Sequence, residues 1–180
     1  MKTLLLTIVL SLFCVCAFPQ KITGKWSCDK EVVRALMGDF EDVSCTYKFK
    51  KNGTFIIKID GGTSTYHSST AYHQQIGTIR IKGHYTINNG QISTIVKEEG
   101  VEADALEILD DKDLMGTKSH SNIATKANWY YDVRDNYAKE MKRKLLNRLM
   151  AHRYLWDWDK EPITITRKEL KIGKILKCRR

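Results

Sequence analysis

The groups in this chain able to do chemistry are five cysteines, a scatter of histidines, and a run of aromatic side chains mixed with carboxylates. His67, His73, His84 and His120 have no metal-ligand spacing with a carboxylate or thiol, and no close Cys/His pair forms a ligand knuckle, so no metal site is expected. A Gly-x-Ser-x-Gly elbow, a phosphate loop, a His-Glu-x-x-His pair and a nucleotide fingerprint are all missing. Acid pairs such as Asp110 and Asp111 read as surface groups that nothing poises as acid and base. The expectation is therefore a non-enzyme, with no catalytic residue and no cofactor. The aromatics carry more information: Trp129, Tyr130, Tyr131, Tyr137, Tyr154, Trp156 and Trp158 are interleaved with Asp132, Asp157 and Asp159. Flat apolar rings beside hydrogen-bond acceptors suit a carbohydrate or a protein partner; the same rings can equally anchor helix ends onto a fold.

The first residues say where such a protein works. Lys2 is followed by an apolar run from Leu4 to Val15, and short side chains at Val15 and Ala17 mark a cleavage position. That is the layout of a signal peptide covering residues 1–17, and the run is too short to span a membrane. Cleavage after Ala17 leaves 163 of the 180 residues, enough for one domain of ordinary size over 20–178. The expected location is secreted or periplasmic, without a transmembrane segment. Lipid anchoring is disfavoured because Phe13 and Val15, not small residues, precede Cys14 and Cys16. Cys28, Cys45 and Cys178 then remain, which allows one bridge and one free thiol. Cys28 with Cys45 is the favoured pair, because both lie near the ends of adjacent predicted strands, and Cys28 with Cys178 is the competitor if the last strand closes onto the first.

The formal net charge of +9 is unevenly spread. From Glu98 to Asp113, eight acids face Lys112 alone, while from Lys139 to Arg180 fourteen bases outnumber five acids. Solvated surface accounts for most such charge, and a polyanion or anionic-membrane site is the other reading. Nucleic acid is not expected as a partner, since export removes the protein from it.

The elements follow from periodicity. Glu31 to Met37 forms a short helix that Gly38 stops. Cys45 to Lys50 alternates, Lys51-Asn52-Gly53 turns, and Thr54 to Ile59 returns as a hairpin strand. Asp60-Gly61-Gly62 reads as a further turn before an edge strand at Thr63 to Ala71. Gly77 to Ile87 alternates, Asn88-Asn89-Gly90 turns, and Gln91 to Lys97 follows. Ile163 to Thr166 and Leu170 to Leu176 make a last pair of strands. Arg134 to His152 breaks this rhythm: Tyr137, Ala138, Met141, Leu145 and Leu149 share one face of an amphipathic helix, with Arg148 and His152 on the same stripe. Short strands joined by tight turns indicate an antiparallel meander closing into a barrel or sandwich.

Gly24-Lys25-Trp26 at the head of the first strand resembles the Gly-x-Trp signature of the lipocalin and wider calycin group. Gly83-His84-Tyr85-Thr86-Ile87-Asn88-Asn89-Gly90 resembles a strand-turn of small bacterial lipocalin-like exported proteins. The likeness covers residues 20–98 and 162–177; a Thr-Asp-Tyr run, the group's second signature, is absent, and the insert at about 100–160 is longer than the pattern expects. The resemblance implies a mainly β fold, an antiparallel up-and-down barrel with a short N-terminal helix and a longer helix inserted before the last two strands. It also implies that Trp26 plugs the closed end, with Arg179 or Arg180 stacked on it. In such a barrel the apolar alternation turns Tyr47, Phe49, Phe55, Ile57, Ile59, Ile79, Ile81, Tyr85 and Ile87 inward. Tyr47, Phe49, Phe55, Ile57, Ile79, Ile81 and Tyr85 are then the candidate contacts for a small apolar ligand in the mouth, or plain packed core. The alternative is a protein- or glycan-interaction module using Trp129, Tyr130, Tyr131, Trp156 and Trp158.

Overall fold

The computed structural model of the chain describes residues 22–38, 40–66, 71–111 and 120–180; for residues 65, 66, 71–73, 107–111 and 120–133 it describes the backbone alone. The signal peptide expected at 1–17 lies outside the described residues. In chain order the elements are β1 (Gly24–Cys28), α1 (Lys30–Met37), β2 (Asp42–Phe49), β3 (Thr54–Tyr66), β4 (Ala71–Asn88), β5 (Gln91–Ile95) and β6 (Val101–Asp111). They continue with α2 (His120–Ala151), a 3-10 turn (Arg153–Leu155), β7 (Glu161–Ile165), β8 (Glu169–Ile172) and β9 (Leu176–Arg179).

The fold is mainly β. Strands pair in the order β3-β2-β1-β9-β8-β7-β5-β4, and β4 pairs with β3, so eight antiparallel strands close into a barrel with β6 outside it. Closure removes the open edges that a sheet otherwise exposes. The turns expected at Asn52-Gly53 and Asn89-Gly90 are present. Asn52 Oδ1 accepts from Thr54 N–H at 3.2 Å and Thr54 Oγ1 at 2.7 Å, and Asn89 and Gly90 have φ of 50° and 71°, as a two-residue hairpin turn requires. Around the ring, β1, β3, β5 and β8 run one way and the others return. One end therefore carries the β2–β3, β4–β5 and β7–β8 turns and the start of β1; we call it the closed end. The opposite rim carries the β8–β9 turn and the entries from both helices.

Beyond the ring β3 and β4 continue together, and β6 joins the edge of β4 from Ala71↔Asp111 to Ile81↔Val101. These three strands make an arm whose inner face is floored by Gly61, Gly77 and Ala105, in register across the strands, with Ala103 two residues along β6 opposite Ile79. Small residues there let other elements approach closely. α2 packs chiefly on β6 with its buried Met141, Leu145 and Leu149, the predicted stripe, and also touches α1 and β4.

The observed strands correct three expectations. Asp60-Gly61-Gly62 is not a turn but the middle of β3; glycine serves close approach rather than bending. A Cβ at Gly61 would stand 2.6 Å from Met37 Cε and one at Gly77 2.7 Å from the Phe40 ring. The stretch from about 100 to 160 opens with strand β6, because Val101, Ala103 and Ala105 alternate with Glu102 and Asp104, a pattern masked by the density of acids. Leu170 to Leu176 is two strands, since Gly173 at φ +59 turns the chain between β8 and β9, so α2 precedes three strands.

Gly77→Ala is expected to destabilise the fold by about 1–3 kcal/mol, since Phe40 and Leu145 must yield to the added methyl. Gly62→Ala is the control: its Cβ meets nothing closer than the Gln75 carbonyl oxygen at 3.8 Å, so urea midpoints should separate the two variants.

Candidate functional site in the barrel bore and at its rim

Alternation along β2, β3 and β4 turns Tyr47, Phe49, Phe55, Ile57, Ile59, Ile79 and Ile81 into the bore, each 2% exposed or less, with Tyr85 half-buried beside them. Ile87 departs from the set at 37% exposure, because β4 there has run past the ring and pairs only with the short strand β5. The bore is not left open. Trp158, 3% exposed, stands inside it with its ring 6.0 Å from Tyr47, 6.1 Å from Phe55 and 6.4 Å from Phe49, all near-parallel. Tyr85 meets Phe49 edge-on at 5.1 Å. Such ring pairs add to what burial alone supplies.

What carries Trp158 inward is the segment leaving α2. It descends along β5 and is held there through the backbone and Thr94: Thr94 N–H donates to the Trp158 carbonyl at 2.9 Å, Trp158 N–H to Thr94 Oγ1 at 2.8 Å, and Thr94 Oγ1 to the Trp156 carbonyl at 2.8 Å. Trp158 Nε1 donates to the Tyr154 carbonyl at 2.9 Å, and the Tyr47 hydroxyl donates to the Leu155 carbonyl at 2.7 Å. Burial pushes the Tyr47 phenol well above its ordinary pKa, so it stays a donor. Leu155 and Trp156 are buried with it. Of the insert aromatics, Trp156 and Trp158 are thus interior residues and Tyr154 is the exposed one at 40%. The side chains of Trp129, Tyr130 and Tyr131 lie outside the described residues.

The closed end matches the arrangement that the resemblance implied. Trp26 is fully buried, its Nε1 donating to the Ile22 carbonyl at 2.7 Å, and Arg180 rather than Arg179 lies over its ring at 4.5 Å while donating to the Thr23 carbonyl at 3.1 Å. The contact is a cation–π lid worth ~1 kcal/mol.

The expected Cys28–Cys45 bridge is corrected: the disulfide joins Cys28 to Cys178. The β1–β2 ladder ends at Ser27↔Thr46, short of the two cysteines, whereas the β1–β9 ladder places Cys28 directly opposite Cys178. Barrel closure, which no local spacing reveals, decides the pairing. Cys45 is left as a buried free thiol, its pKa pushed up to about 12 by burial, with Asp60 adding to the shift and a hydrogen bond with Tyr47 opposing it.

Arg148 and His152, which sequence places on the apolar stripe of α2, resolve without a ligand. Arg148 crosses to α1, lies over Gly38 and donates to the Met37 carbonyl at 3.2 Å, satisfying the end of that helix. His152 sits just past the end of α2, where its N–H and Nδ1 both meet the Arg148 carbonyl.

The rim carries an open groove. A groove of about 460 Å³ lies between the β8–β9 turn, the start of β7 and the segment entering the bore, bounded by Tyr154, Trp158, Pro162, Ile172 and Ile175. Asp157, Glu161 and Lys174 edge it, Asp157 being paired to Arg153. Ile175 is 57% exposed. Sequence reasoning missed this site because its walls come from two separate segments; the alternating Trp156-Asp157-Trp158 was the available signal. Among the described residues no group of three or more His, Cys, Asp or Glu could hold a metal ion, and no helix is long and apolar enough to cross a membrane. Compared with protein-family models, curated proteins and solved structures, the chain matches none.

Proposed function

We propose that this protein is an exported, lipocalin-like barrel that binds a small apolar molecule at its rim and does no chemistry on it. The groove carries this reading. Its volume of about 460 Å³ falls in the range of small-molecule sites, roughly 300–1,000 Å³, and apolar side chains bound it with only three charged groups at its edge. Trp158 links the groove to the bore, so a ligand would lie against the aromatic column instead of replacing it. Membership of the lipocalin group is supported by the closed eight-stranded barrel and by the Trp26–Arg180 lid. The Cys28–Cys178 bridge supports an oxidising compartment, as secretion or the periplasm provides. The alternative, an interaction surface of insert aromatics, is weakened by the burial of Trp156 and Trp158.

The test is titration with a neutral naphthylamine fluorophore, with native mass spectrometry for stoichiometry. One probe per chain should bind saturably, and Ile175→Asp should weaken it at least tenfold by placing a carboxylate on the apolar wall. Absence of saturable binding, or binding indifferent to Ile175→Asp, overturns the proposal.

A further inference from the structure

The closed end of the barrel gathers a charge that neither the groove nor the bore uses. Its turns come from separate parts of the chain, and two of the three bring bases: Lys50 and Lys51 at β2–β3, Arg167 and Lys168 at β7–β8. Barrel closure sets these beside Lys25 at the start of β1 and Lys48 near the end of β2. All six are exposed, and none has an ion-pair partner among the described residues. No residue of these turns is acidic. The nearest acid in sequence, Glu169, is taken by Lys177 at 3.0 Å and Lys171 at 3.2 Å.

The register sharpens the point. Lys25 stands directly opposite Lys48 across the β1–β2 pair, both on the outer face, an arrangement that costs stability because like charges meet. Bases also stand opposite each other at Lys58↔Arg80 and Lys171↔Lys177, but there carboxylates compensate them: Asp60 takes Lys58, Glu102 takes Arg80, and Glu169 takes both Lys171 and Lys177. An uncompensated like-charge pair at the centre of a one-signed end is what an external anion would relieve.

We infer that the closed end of the barrel is a docking surface for an anionic lipid bilayer. The shape favours a surface over a strand-like polymer. The bases sit at separate turn tips and on the outer wall of the barrel, and Ile87, beside the β4–β5 turn, supplies an exposed apolar contact at the same end. Lysines on flexible stems suit diffuse attraction to headgroups, which falls off within a Debye length. Docked this way the opposite rim, with its groove, faces away from the membrane.

Co-sedimentation of the purified chain with vesicles tests this, using pure phosphatidylcholine against a mixture one third phosphatidylglycerol. Binding should require the anionic lipid. The triple variant Lys25→Gln, Lys51→Gln, Arg167→Gln should lower partitioning about a hundredfold. A second triple, Lys139→Gln, Lys142→Gln, Arg143→Gln on α2, removes equal charge from the exposed face of the helix and should change partitioning less than about threefold. Far-ultraviolet circular dichroism checks that both variants keep the fold. Equal losses in the two triples would reduce the effect to net charge and overturn the inference. Failure to bind anionic vesicles overturns it as well, and so does binding of dextran sulfate through the same residues without binding of vesicles.

Discussion

Trp158→Ala is expected to destabilise the protein by about 3–5 kcal/mol, the range for emptying a large aromatic site in a packed core. The backbone around position 158 is held to Thr94 independently of the indole, so the loss is one of packing rather than of unravelling. The Tyr154 carbonyl that accepts from the indole belongs to an exposed residue and can turn to water instead. What remains is a void faced by Tyr47, Phe49 and Phe55, whose own contacts on that side are gone. An apolar void of this kind stays dry and accepts an apolar guest. Indole added to Trp158→Ala should therefore raise its melting temperature by more than it raises that of the parent chain. Trp158→Phe keeps most of the stack and should recover more than half of the stability in urea titrations. A loss below about 1 kcal/mol would mean that the bore does not depend on this residue.

Breaking the Cys28–Cys178 bridge is the second large effect. The bridge links positions separated by 150 residues, and the loop-closure estimate for such a length is about 5 kcal/mol. Cys178→Ser, or reduction, should lower stability by that order, and it also frees β9 at the point where the barrel closes on β1. Cys45→Ala should cost about 1 kcal/mol, since a buried thiol contributes as a small apolar group. The native Cys45 thiol should resist iodoacetamide at pH 8, because burial holds it protonated. The pH dependence has a definite sign. Its pKa is raised in the folded chain from 9.0 to about 12, so the stability tied to the neutral thiol is present below pH 9 and is lost as pH rises towards 12. Thiol-mapping mass spectrometry on Cys178→Ser should find any residual bridge between Cys28 and Cys45, the pair nearest in sequence.

The inward face of the hairpin from Tyr47 to Ile59, the stripe on α2 and the two Asn-Gly turns could be read from the chain because each rests on local periodicity or on backbone preferences of two or three residues. Trp26 and a terminal arginine were reachable only through the likeness of a short motif. The arm formed by β3, β4 and β6 was not legible: glycine in a strand and glycine in a turn look alike until the ring of Phe40 is seen against Gly77. Nor was the plugging of the bore, since nothing local tells whether Trp158 sits on the surface or inside. The amino-acid sequence alone determined which faces are oily, where the chain turns and which helix is amphipathic, because these depend on neighbours a few residues apart. Which cysteines join, which tryptophan fills the bore and where the bases of separate turns converge were decided by closure of the barrel, which brings together residues up to 157 positions apart.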